Sequence, residues 1–175
     1  MTHTRDKLNE AKNFIEEMKN VYLFPDKFRY VLTAFLAASR SITLIMQKEF
    51  SKEVGFKDWY KQKQTEMRNN STLKYLDRQR DISLHEHPVL QCSIISVIEP
   101  KVNSPDMSIF LTGTGSNINL SHVLLPAPTI KPNTRLTYYF DDMHAIGKDV
   151  MAICQEAITA LEAIVVECET KFAIN

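Results

Sequence analysis

Residues 25–50 read PDKFRYVLTAFLAASRSITLIMQKEF, and the spacing of their apolar side chains decides the fold. Phe28, Leu32, Phe35, Ala38, Ile42, Ile45 and Phe50 recur mostly at intervals of three and four, the signature of one helical stripe. Pro25 and Asp26 suit a first turn, because proline lacks only a donor that is spare there and aspartate complements the dipole. The pattern predicts a long helix over about 25–53, with Gly55 as its stop. Ala34, Ala37, Ala38 and Ser41 are small, so a neighbouring helix can approach closely.

Working outward, Leu8, Ala11, Ile15 and Met18 predict an amphipathic helix over about 4–21. Trp59, Tyr60 and Met67 mark a third helix near 57–68, and Asn69, Asn70 and Ser71 supply a break and a cap. Leu73, Leu76, Arg80 and Leu84 carry a fourth helix over about 72–85, closed by Pro88. At Leu90 the period changes, with Leu90, Cys92 and Ile94 alternating with Gln91 and Ser93, as in a strand. Further strands are expected near 106–112, 117–124 and 134–140, separated by Asn103-Ser104-Pro105, Gly113, Gly115 and the proline-rich residues 126–133. Asp141 or Asp142 then caps a last helix to about 171, whose heptad-like stripe includes Met143, Ile146, Val150, Ile153, Ala157, Leu161, Ile164, Cys168 and Phe172. The expected fold is mostly α: an up-and-down helix bundle, one domain over 1–175, with a small antiparallel β-sheet inserted at about 89–140.

Composition narrows the function classes. Of 175 residues 44% are hydrophobic and 24% charged, as in ordinary soluble proteins, and a chain this long needs no disulfide or metal staple. The formal net charge is zero, so there is no global pull toward nucleic acid or anionic lipid. Locally, residues 48–80 hold nine Lys/Arg against five Asp/Glu, a basic surface that can meet phosphates. The three cysteines, Cys92, Cys154 and Cys168, form no CxxC pair and fit a reducing, cytoplasmic setting. Cys154 and Cys168 fall on the apolar stripe of the last helix and are expected in the core. The charged first twenty residues do not resemble a signal peptide, and no apolar run approaching a membrane span is expected.

Several motifs read as ordinary structure. Gly113-Thr114-Gly115 lacks the third glycine and the following helix of a phosphate loop, so a turn is expected. His85-Glu86-His87 would need further ligands from His122, His144 or Cys92, with no supporting spacing, so neither a metal nor any other cofactor is expected. No Gly-x-Ser-x-Gly elbow marks a nucleophile.

Arg80-Asp81-Ile82-Ser83-Leu84-His85 is the one stretch with the residue types of phosphodiester chemistry. Arg80 follows Leu76 on the inward stripe, where a guanidinium must find partners and can stabilise phosphate charge. His85 can transfer a proton, and Asp81, four residues earlier, is in reach of its imidazole. Five residues turn an ideal helix by about 140°, so Arg80 and His85 converge only if the helix loosens before His85.

The runs FRYVLTAFLAASRSITLIMQKEF (28–50), GFKDWYKQKQ (55–64) and LDRQRDISLHE (76–86) resemble the HEPN domain, whose motif is Arg, four to six residues, then His. The tyrosine that one toxin subgroup carries two places after the histidine is absent. The resemblance implies Arg80, His85 and Asp81 as catalytic residues of a metal-independent endoribonuclease, in a cleft shared by a homodimer. It also implies RNA as a partner and, for toxin members, an antitoxin-like protein. Inactive members imply the alternative, a non-catalytic RNA- or protein-interaction module.

Overall fold

A computed structural model of the chain describes residues 1–86, 88, 91–97, 134–140 and 148–172. The elements run α1 (His3–Asn20), α2 (Pro25–Phe50), α3 (Phe56–Asn69), α4 (Ser71–His85), β1 (Gln91–Val97), β2 (Thr134–Phe140) and α5 (Val150–Phe172). By contact the chain divides into two compact units, residues 1–89 with 151–175, and residues 90–150.

The first unit is the helical bundle. The short link between α1 and α2 returns the chain on itself, and these two helices pack closely against each other. Leu8, Ala11, Ile15 and Met18 of α1 are buried with Phe28, Leu32, Phe35, Ile42 and Met46 of α2. The start of α1 is held from both sides. Thr2 Oγ1 accepts from Arg5 N at 3.0 Å, and the Glu49 carboxylate of α2 accepts from His3 N and Thr4 N at 2.8 Å and from Thr4 Oγ1 at 2.6 Å. These are the donors that a helix start leaves unpaired, so a tertiary carboxylate completes a local cap. Burial works to raise the Glu49 carboxyl, and the hydrogen bonds from Thr4 and His3 outweigh it, leaving it below the usual range.

α2 is long and apolar enough by length and composition to cross a membrane, contrary to the expectation from its sequence. Its apolar stripe is instead spent inside the bundle, where Phe28, Leu32, Phe35 and Ile42 are fully buried. Gly55 precedes α3 with φ +81°, the left-handed region that L side chains avoid. The expected stop is thus the turn's last residue, and α2 itself ends at Phe50.

α5 closes the unit. Trp59 Nε1 donates to Glu167 at 2.7 Å, Thr72 Oγ1 donates to Glu156 at 2.8 Å, and Arg5 pairs with Glu169. Phe56 stacks on Tyr60 and meets Phe172 edge-on, with centroids 5.5 Å apart in both pairs. Cys154 and Cys168 are buried, and burial pushes Cys168 up to about 12, so it stays protonated and unreactive. α5 starts at Val150, later than the start expected near 142. Lys148 and Asp149 are not helical, and Gly147 just before them disfavours helix.

In the second unit β1 and β2 pair antiparallel, from Gln91 opposite Phe140 to Val97 opposite Thr134. The expected strands near 106–112 and 117–124, Asp141, Asp142, Met143 and Ile146 lie outside the described residues. So do His87, His122 and His144.

Candidate functional site

Three helices of the first unit bring polar stripes to one cavity of about 530 Å³. α2 contributes Arg40, Thr43 and Gln47; α3 contributes Tyr60, Gln64 and Arg68; α4 contributes Lys74, Asp77 and Arg80. Each set repeats at three, four or a full two turns, so each lies on one face of its helix. The floor is apolar, with buried Leu36, Leu76, Ala157 and Leu161. Arg40, Arg68, Lys74 and Asp77 are solvent-exposed and form the rim.

The lining thus holds four cations against one carboxylate. Asp77 Oδ1 lies 3.7 Å from Arg40 Nε and 3.7 Å from Arg80 Nη2. Both separations exceed a charge-assisted hydrogen bond, so neither guanidinium is fully engaged by it. Arg40 Nη1 makes only a long bond, 3.4 Å, to Thr43 Oγ1. Arg80 pairs with Asp81 through Nη2, while its Nε is buried and has no hydrogen-bond partner among the described residues. Tyr60 donates to the Thr43 carbonyl at 3.5 Å, and burial pushes its phenol up, so it is neutral near pH 7. A cavity so built attracts an anion with several oxygen acceptors and packs an apolar body beneath it.

The expected triad divides. Arg80 lines the cavity wall. His85 is exposed at the end of α4 and is not among the lining residues. Asp81 is engaged by Arg80, and no hydrogen bond or ion pair joins it to His85. α4 does not loosen: it is helical through His85, and Glu86 N still donates to Ile82 O at 2.9 Å. The 140° offset of an ideal helix therefore stands, and the two side chains diverge. Sequence reasoning singled out none of Arg40, Arg68, Lys74 and Asp77, although the basic run 48–80 contains the last three. Their signal was polar residues at helical spacing on three successive helices, which is also how a solvated face reads. Among the described residues, no group of three or more His, Cys, Asp or Glu is placed to hold a metal ion.

The family model described as bacteriophage lambda protein ea47 matches residues 1–94, which span α1 to α4 and the site's three polar helices. The chain belongs to the bacteriophage lambda protein ea47 family. This overturns the HEPN resemblance. That likeness rested on a short Arg-to-His spacing and on apolar stripes that any amphipathic bundle shares, whereas the ea47 match runs over 94 successive residues. The roles that HEPN membership implied for Arg80, Asp81 and His85 lose that basis, as does the antitoxin-like partner. No curated protein and no solved structure matches the chain.

Proposed function

We propose that this ea47-family chain is a non-catalytic, cytoplasmic RNA-binding module whose contact surface is the cationic cavity between α2, α3 and α4. The observation that carries this reading is the arrangement of Arg40, Arg68, Lys74 and Arg80 around one concavity with a single opposing carboxylate, Asp77. Guanidinium groups bind phosphate oxygens through planar forked donors, and Arg80 Nε has such a donor unmade. A concave site with an apolar floor suits a splayed-out nucleotide of a single strand better than the continuous surface of a duplex. Because the whole chain is neutral, there is no global pull, and attraction comes from local basic surface such as this cavity. Binding is favoured over cleavage because Arg80 is in the cavity while His85 stands outside it.

The reading includes a second copy of the chain. Tyr30, Ala34, Ala37, Ser41 and Leu44 form an outward stripe on α2, with Tyr30 61% and Leu44 46% exposed. Small residues there let a second helix approach closely, so this stripe supports a homodimer.

Fluorescence anisotropy with a labelled single-stranded oligoribonucleotide tests the RNA reading. Binding is expected to weaken steeply from 50 to 200 mM salt, since each neutralised phosphate releases counterions. Arg40→Gln and Arg80→Gln should each weaken it by roughly tenfold or more, the worth of a charged hydrogen bond. The RNA should be recovered intact on a gel. Absence of binding at low salt would remove the RNA reading, and cleavage lost in His85→Ala would replace it with an enzyme.

A further inference from the structure

The cavity has an internal competitor. Asp77 is the one carboxylate in the lining, and it stands between Arg40 and Arg80 at 3.7 Å from each. Those distances are longer than charge-assisted hydrogen bonds, so Asp77 offsets part of the charge on the two guanidiniums without using their donors, while Asp81 pairs with Arg80 through Nη2. Arg80 Nε remains buried and unpartnered among the described residues. Leaving such a donor unmade is costly, and a rotation of the Arg80 side chain that turns Nε toward a ligand oxygen in the cavity relieves the cost.

The incoming group must outbid a carboxylate of charge −1 held on the protein itself. An internal phosphodiester also carries −1, so exchanging it for Asp77 gains little. A terminal phosphate carries about −1.5 to −2 at pH 7, with three acceptor oxygens, and gains both charge and donors. Volume agrees. A cavity of about 530 Å³ matches a drug-sized molecule such as a single nucleotide, with Leu36, Leu76 and Leu161 as the floor beneath its base. A strand that ends in the cavity fits this size better than one that passes through it.

Resting on the phosphate-binding reading above, we infer that the cavity is a terminal-phosphate site: Arg40 and Arg80 grip the 5′-phosphate of a nucleotide or strand end, in the place from which Asp77 faces them both. Arg68 and Lys74, on the rim, then meet the next phosphate when the nucleotide belongs to a strand. Asp77 sets specificity, because it is displaced readily only by a group of higher charge.

The test compares three probes on the full chain by anisotropy and competition. These are an oligoribonucleotide with a 5′-monophosphate, the same strand with a 5′-hydroxyl, and adenosine 5′-monophosphate with adenosine as its control. The 5′-phosphorylated strand should bind roughly ten- to a hundredfold tighter than the 5′-hydroxyl strand. Arg40→Gln should erase most of that preference. It is the informative variant should Arg80→Gln fail to fold, because Arg40 is exposed. Asp77→Asn should tighten binding of the 5′-phosphorylated strand, a change that a merely structural role for Asp77 would not produce. Equal affinity for both strands would overturn the terminal-phosphate site while leaving RNA binding standing. Binding of adenosine 5′-monophosphate but not adenosine, with neither strand bound, would support the site and overturn the RNA reading. Weaker binding in Asp77→Asn, at unchanged thermal stability, would overturn the role given to Asp77.

Discussion

Arg80 shows what a single residue can and cannot announce. Its place on the inward stripe after Leu76 demanded partners, and the fold supplies Asp81 and a more distant Asp77 while leaving Nε unmatched. The partner expected for Asp81 was His85, and the guanidinium one residue away takes it instead. The Arg80 guanidinium carries a fixed charge with forked donors and reaches Asp81 directly, whereas His85 is exposed at the end of α4. Glu167 is the clearest titrating residue. The hydrogen bond from Lys63 at 2.8 Å, then that from Trp59 at 2.7 Å, hold it down to about 2. A depressed carboxyl contributes stability above its unfolded value near 4.5, and loses it as pH falls toward 2. Glu49 and Glu169 are lowered too, and add to the same window. The melting temperature of the wild type should therefore fall between pH 4.5 and pH 2.5. In Glu167→Gln that fall should be shallower, from a lower value at pH 7. An equal slope in both proteins would show that Glu167 does not contribute.

At the scale of elements, the ends were decided by local chemistry wherever a capping residue was present. Asn70 Oδ1 accepts from Leu73 N at 3.0 Å, so α4 starts where the Asn69-Asn70-Ser71 run said it would. Asn70→Ala should destabilise the protein by about 1 kcal/mol in urea unfolding, as other lost N-caps do. Asn70→Asp should be nearly neutral, and a full 1 kcal/mol loss there would argue against the side-chain cap. α5 is the counterexample. The expected helix ran through Lys148 and Asp149, yet these two are not helical and the described helix begins at Val150; Met143 and Ile146 lie outside the described residues. Periodicity counts apolar side chains and is blind to local backbone preference, so it carried the helix through these two residues.

For the whole molecule, the outward stripe of α2 predicts self-association. Sedimentation at micromolar concentration should give about twice 20.2 kDa, and Ala37→Glu on the exposed stripe should return it to one copy. A wild-type protein that sediments at 20.2 kDa would remove the dimer. The sequence by itself determined the helices, most of their inward faces and the switch to strand alternation after Pro88, because each depends on a period carried by neighbouring residues; Leu84, expected on the inward stripe of α4, is exposed where that helix ends. It also showed that Arg80 was an unusual inward charge. Only the tertiary structure decided the site. Arg40, Arg68, Lys74 and Asp77 sit on three different helices, and nothing in any one helix distinguishes their polar stripe from a solvated face. They become a cavity when α2, α3 and α4 pack around the apolar side of α5. The separation of Arg80 from His85 is local instead: α4 stays helical through His85, so the offset of about 140° that five residues give on an ideal helix stands.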